Sequence, residues 1–185
     1  MQYNKIQQNH PQKIIFLDVD GVLTHEDYLN GVEEDLDETK IKIKILKQII
    51  DQTNAKIVLS STWRKCNKIS IKSKRNPYQV LEELLKRQGL EIYDKTPILH
   101  QIKKINNKQI NGIIKLEHKR AEEILTWLDN HNPESFVILD DNEHDFKKYD
   151  LESHLIKTSY YDGGLKEEHI PQIIEILNKT NKKTR

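Results

Sequence analysis

The chain has 185 residues, which favours a single domain with room for a small insertion. Its acidic and basic residues nearly balance at a formal net charge of +1, so the total charge indicates no class of partner. A lone cysteine, Cys66, excludes an internal disulfide, and no Cys/His spacing indicates a zinc site. No segment reaches the roughly 20 apolar residues of a membrane span, and no signal-peptide core follows the polar first residues. We therefore expect a cytoplasmic protein without a membrane partner, and the sequence indicates no stable protein partner.

Apolar periodicity predicts strands and helices that alternate along the chain. The predicted strands are short apolar runs, at 13–19, 55–59, 90–93, 136–139 and 155–158. The predicted helices are amphipathic segments, at 38–53 with Asp37 as N-cap, around 80–85 and closed by Gly89, at 120–131 and at 170–177. This alternation favours a parallel sheet with helices on both faces. The sequence thus predicts one α/β domain over 13–178, with a flexible lead-in at 1–12 and a polar tail at 179–185.

Residues 98–118 follow neither periodicity. They mix isoleucine with lysine, asparagine and glycine, which indicates a hairpin or a flexible insertion. The sequence leaves open whether this insertion orders over a site as a lid.

Polar side chains follow three of the predicted strands at the point where each strand ends. They are Asp18 and Asp20, Ser60, and Asp140 with Asp141. Because ligands of parallel sheets bind at the carboxyl ends of the strands, we expect these residues to converge on one site. Crowded carboxylates repel one another unless a cation lies between them, and an all-oxygen ligand set suits Mg²⁺. The sequence therefore predicts a magnesium site built from these acids.

A cation precedes the last acidic strand. Either Lys119 or Arg120, at the start of the predicted helix, would balance charge and bind a phosphate oxygen. Ser60 would donate a hydrogen bond to a transferring group. A metal, a cation, a hydroxyl donor and a carboxylate nucleophile are the parts that phosphoryl transfer needs.

These motifs resemble, in the same order, those of the haloacid dehalogenase (HAD) superfamily of phosphohydrolases. The four motifs stand at 18–22, 57–60, Lys119 or Arg120, and 138–141. More narrowly, three segments resemble the HAD domains of Swiss Army Knife RNA repair proteins, at 59–64, 119–128 and 163–165. The resemblance implies a Rossmann-like three-layer sandwich with a central parallel sheet and a minimal cap or none.

The resemblance also implies a two-step reaction. Asp18 would attack phosphorus and form an aspartyl-phosphate, while Asp20 would protonate the leaving oxygen and then activate water. Asp20 would also offer its backbone carbonyl to Mg²⁺. Asp140 and Asp141 would supply the remaining protein ligand, and the sequence does not decide which of them coordinates directly.

The implied phosphate-binding residues are Ser60 and Arg120, with Lys119 as the alternative cation and Arg64 within reach of a substrate phosphate. Asp18 and Ser60 are 42 positions apart, and Ser60 and Arg120 are 60 apart, so neither gap holds a large cap. An open site would admit a nucleic-acid terminus, and the basic residues of 64–75 could guide its approach.

The sequence is also compatible with other functions. Within phosphatases, a small-nucleotide 5′-nucleotidase is the alternative to a nucleic-acid repair enzyme, and phosphotransfer is an alternative to hydrolysis. A non-catalytic HAD-fold module that binds phosphate or metal is a third interpretation, which the presence of both Asp18 and Asp20 disfavours. A signalling receiver domain also clusters aspartates around Mg²⁺, but it would not need the second of these acids.

Overall fold

In the computed structural model of the chain, the described residues are 12–24, 34–65, 76–104 and 114–179. The strands are β1 (Lys13–Leu17), β2 (Lys56–Leu59), β3 (Ile92–Lys95), β4 (His100–Lys104), β5 (Ile114–His118), β6 (Ser135–Asp140) and β7 (Leu155–Lys157). The helices are α1 (Glu34–Thr53), α2 (Pro77–Arg87), α3 (Arg120–His131) and α4 (Ile170–Asn178). Most of the predicted lead-in, the tail beyond 179 and the basic residues of 66–75 lie outside the described residues.

The central sheet has five parallel strands in the order β3-β2-β1-β6-β7. β1 lies in the middle, and its last residue, Leu17, pairs with Leu59 of β2 and Leu139 of β6. The carboxyl ends of β1, β2 and β6 therefore lie side by side. All six residues of β6 are buried, which is typical of a parallel strand covered on both faces.

Alternate residues of β1 face opposite layers. Ile15 and Leu17 pack in a core cluster with residues of α1, α2 and α4. Ile14 and Phe16 pack in a second cluster with residues of α3, where the Phe16 ring meets the Trp127 ring edge-on at 5.3 Å between centroids. Helices cover both faces of the sheet, so the prediction of a three-layer α/β sandwich is confirmed.

Some element bounds differ from the sequence prediction. Helix α1 begins at Glu34, so Asp37 lies inside the first turns and its prediction as N-cap is wrong. The third strand runs over Ile92–Lys95, two residues later than predicted, because Leu90 packs into the core as part of the connection from α2. Gly89 closes α2 as expected, with a left-handed φ of 71° and its amide bonded to Lys86 O.

Strands β4 and β5 pair antiparallel within 98–118 and form a separate two-stranded sheet. A hairpin is one of the two alternatives that the sequence indicates for this segment, and residues 105–113 between the strands lie outside the described residues. No helix in the described ranges is both long enough and apolar enough to cross a membrane.

Candidate active site

The site begins with the residues that directly follow three neighbouring strands. The backbone ladder continues one step past the strands, because Asp18 N donates to Leu139 O at 2.9 Å and Ser60 N donates to Leu17 O at 2.8 Å. These bonds fix Asp18 between the ends of β2 and β6. Its position is therefore set by the sheet and not by a loop.

Three carboxylates converge there. Each of Asp18, Asp140 and Asp141 offers an oxygen within 4.8 Å of the other two. Asp18 and Asp140 are almost fully buried, at 7% and 1% exposed. Hard divalent cations prefer carboxylate oxygens as ligands, and three of them converge at this largely buried end of the sheet. These residues therefore fit Mg²⁺.

The electrostatics of the cluster also favour a bound cation. Burial raises the pKa of Asp18 to about 7, and the charge of Asp140 adds to this effect, while Arg120 and a hydrogen bond from Ser61 oppose it. Burial, followed by the charge of Asp140, likewise raises the pKa of Asp141. Burial of the ionised carboxylates is thus the main cost in this cluster, and Arg120 offsets only part of it.

Arg120 is the cation that the fold directs into the site. Its guanidinium lies 3.5 Å from Asp18 Oδ1, from Asp140 Oδ2 and from Ser60 Oγ. The contact with Asp140 is made by the buried Nε, as an ion pair that lacks the geometry of a hydrogen bond. Lys119 instead pairs with Glu122 on the flank of α3, at 2.6 Å. Of the two cations that the sequence left open, Arg120 is the one that contacts the cluster.

Two adjacent serines meet the cluster at the end of β2. Ser60 is 2% exposed, and its Oγ lies 3.5 Å from both Arg120 Nη1 and Thr96 Oγ1. Ser61 is fully buried, and its side chain hydrogen-bonds Asp18. From the sequence, Ser60 has a predicted role in phosphate binding and Ser61 has none. The run of three hydroxyl residues after β2 was the available signal.

The Asp20 carboxylate is not one of the three clustered carboxylates, although its charge contributes to the raised pKa of Asp141. Its Oδ1 accepts from the Thr24 hydroxyl at 3.2 Å, and its Oδ2 accepts from the Trp63 indole N–H at 2.9 Å. A tight turn supports this arrangement, since Gly21 N donates to Thr24 O and Thr24 N donates to Val19 O. The two acids of the first motif therefore have different surroundings, as an acid/base and a nucleophile require.

Gly21 and Asp141 are in close contact. A Cβ on Gly21 would lie 2.4 Å from Asp141 Oδ2, and the residue has a left-handed φ of 75°. Its carbonyl accepts from Thr158 Oγ1 at 2.7 Å. The turn after Asp20 thus packs directly on one of the candidate metal ligands.

Arg64 has its terminal nitrogens engaged within the protein. It forms a buried ion pair with Glu123 of α3, and it donates to Ser61 O at 2.7 Å and to Pro97 O at 3.2 Å. Burial lowers the pKa of Arg64, and the charge of Glu123 opposes this. Its expected role in phosphate binding stays a prediction, one that these contacts do not favour.

One protein family matches most of the chain. The family described as the HAD domain in Swiss Army Knife RNA repair proteins matches residues 14–170. The searches of curated proteins and of solved structures found no match. The matched range contains the residues of the carboxylate cluster, Arg120 and Asp20. The chain therefore belongs to the family of HAD domains found in Swiss Army Knife RNA repair proteins.

Proposed function

We propose that the protein is a Mg²⁺-dependent phosphohydrolase that cleaves phosphomonoesters through an aspartyl-phosphate on Asp18. Membership of the HAD family suggests a phosphohydrolase in general. The observation that carries the finer proposal is the separation of two acids. Asp18 lies in the carboxylate cluster beside Arg120, while the Asp20 carboxylate is not part of that cluster and accepts hydrogen bonds from Trp63 and Thr24.

In the first step, a carboxylate oxygen of Asp18 forms a bond to phosphorus as the bond to the ester oxygen breaks. The leaving oxygen takes the proton of the Asp20 carboxyl, so an alcohol departs and Asp20 becomes a carboxylate. In the second step, Asp20 takes a proton from water as the water oxygen bonds to phosphorus. The Asp18–phosphorus bond then breaks, which restores both residues and releases phosphate.

The other site residues bind the phosphoryl group and the metal ion. Ser60 and Arg120 donate to the phosphoryl oxygens, since the contacts of Arg120 with Asp18, Asp140 and Ser60 are all long, at 3.5 Å, and leave its N–H groups able to bind an incoming anion. Asp18, Asp140 and Asp141 would hold Mg²⁺, together with the Asp20 carbonyl that the family resemblance implies. A bound Mg²⁺ supplies positive charge that lets an anionic nucleophile and an anionic phosphate approach each other.

We propose a nucleic-acid terminal phosphate as the substrate, in a cytoplasmic setting that a single cysteine suits. The family's association with RNA repair supports this substrate, as do the short gaps between motifs, which hold no large cap. A mononucleotide is the alternative substrate, and a non-catalytic phosphate-binding or metal-binding module is the alternative function.

The test is phosphate release with Mg²⁺ and with EDTA across matched substrates. The panel holds an aryl phosphate, mononucleotides, and oligonucleotides that carry the phosphate at the 5′ or the 3′ end. Metal-dependent release that favours one oligonucleotide end supports the proposal and names the end. Release from mononucleotides alone indicates a nucleotidase, and Mg²⁺ binding without release from any substrate contradicts the catalytic proposal.

A further inference from the structure

We infer that Trp63 is a positioning residue that fixes the Asp20 carboxyl for proton transfer to the leaving oxygen. This inference rests on the proposed function and adds to it a residue from a different segment of the chain. Trp63 lies 43 positions from Asp20, in the short turn Thr62–Lys65 that follows the end of β2.

The contact between the two residues is direct. The Trp63 indole N–H donates to Asp20 Oδ2 at 2.9 Å, which is an ordinary length for a hydrogen bond to a carboxylate. An indole nitrogen only donates, and it does not titrate in water. The contact therefore fixes one oxygen of Asp20 without competing for the proton that the reaction moves.

The position of the Trp63 ring is set by its surroundings. Trp63 packs against the core cluster that contains Leu17 and Leu59, and its amide donates to Ser61 Oγ at 3.3 Å. Since the ring is fixed to the core, the N–H is a rigid donor. A rigid N–H holds the Asp20 carboxyl in one orientation. Asp20 needs such an orientation to deliver its proton to the leaving oxygen.

The second oxygen of Asp20 has a partner of a different kind. The Thr24 hydroxyl lies 3.2 Å from Asp20 Oδ1 and 3.3 Å from Val19 O. Its single hydrogen can serve only one of these acceptors at a time. When Asp20 carries its proton on Oδ1, Thr24 can donate to Val19 O and accept from Asp20. Thr24 can therefore hydrogen-bond to Asp20 whether the carboxyl group is protonated or ionised. The Trp63 N–H fixes the orientation of the carboxyl group in both states.

The experiment compares Trp63→Phe with wild-type protein in the presence of Mg²⁺, using 4-nitrophenyl phosphate and phenyl phosphate. The two esters share a ring but differ in how much their leaving oxygen needs a proton. The readout is kcat/KM, because it reports the first step, in which Asp20 protonates the leaving group. Phenylalanine retains an aromatic ring and removes the N–H.

We expect Trp63→Phe to lower kcat/KM for phenyl phosphate by about tenfold or more, with a much smaller loss for 4-nitrophenyl phosphate. An equal loss on both esters, or no loss, would overturn the inference. If wild-type protein hydrolyses neither ester with Mg²⁺ nor any substrate of the panel above, the proposed function itself fails, and the inference fails with it.

Trp127→Phe is the matched control. The chain has two tryptophans, and the Trp127 indole also donates to a carboxylate, that of Asp94, at 2.6 Å. Trp127→Phe should change kcat/KM for the two esters by the same factor or leave both values unchanged. In ¹H–¹⁵N spectra, Asp20→Asn should shift the indole resonance that Trp63→Phe removes and leave the other in place. A shift of the Trp127 resonance alone would contradict the contact.

Discussion

At the scale of single residues, Asp18 combines burial with crowding by like charge. Its pKa of about 7 lies well above the ordinary value of 3.8 because burial and Asp140 both penalise the charged form. An acid whose folded pKa exceeds its unfolded pKa binds more protons when folded. The free energy of unfolding therefore falls as the pH rises from about 4 to about 7.

Asp18→Asn should accordingly stabilise the metal-free protein, since asparagine cannot ionise. In EDTA the variant should melt several degrees higher than wild-type protein at pH 8, with a smaller difference at pH 5. Melting followed by circular dichroism at both pH values measures this. A variant that melts lower than wild-type protein at pH 8 in EDTA would contradict the cost assigned to burying the Asp18 charge.

Gly21 is the second residue whose identity the site dictates. Gly21→Ala places a side chain on a residue with left-handed backbone angles, which should cost about 1 kcal/mol of stability. The new Cβ would also clash with Asp141, at a further cost of about 1–3 kcal/mol. Urea unfolding measures the total loss. The shift in melting temperature with added Mg²⁺ should also shrink, because Asp141 must move.

Gly89→Ala separates these two effects. Gly89 has nearly the same φ, 71°, but a Cβ there would meet nothing within 4 Å. We expect a loss of about 1 kcal/mol from the backbone alone and an unchanged response to Mg²⁺. Equal losses in the two variants would show that the contact with Asp141 carries no energy.

At the scale of elements, a buried ion pair links three segments beside the site. Glu123 of α3 pairs with Arg64 of the turn after β2, and its other oxygen accepts from Leu99 N at 3.0 Å. Arg64 also reaches Pro97 O, so both residues hold the connection that leads from β3 into the β4–β5 hairpin.

Glu123→Ala should lower the free energy of unfolding by about 3 kcal/mol, because it leaves the Arg64 charge buried without its partner. Hydrogen exchange at the Leu99 amide should also quicken. Glu175→Ala is the control, since its pair with Lys179 is exposed and its loss should leave the melting temperature unchanged. If the two variants are equally stable, the ion pair does not anchor the hairpin.

The sequence predicts the alternating elements well because apolar periodicity reports burial directly, as in β6 and α3. It also predicts that acids at strand ends meet, and the structure brings Asp18, Asp140 and Asp141 together. The contacts of Arg64 and Trp63 depend on how one short turn orients its side chains toward distant partners. No local pattern encodes these contacts, so the sequence leaves them undetermined.

At the scale of the whole molecule, the parallel sheet is what makes the site. Its strand order places β1 between β2 and β6, so residues far apart in the chain meet at one edge. Arg120, the first residue of α3, reaches this edge from the helix layer on one face of the sheet. We propose that this assembly places a phosphoryl group on Asp18.

The most direct measurement uses Asp20→Asn with 4-nitrophenyl phosphate and Mg²⁺, quenched in acid and analysed by peptide mass spectrometry. This ester needs little protonation, so the phosphoryl group should transfer, and the missing base should slow its release. We predict a phosphoryl group on the peptide that contains Asp18, and none when Asp18→Asn is added. Phosphorylation elsewhere, or full turnover by Asp20→Asn without an adduct, would contradict the account.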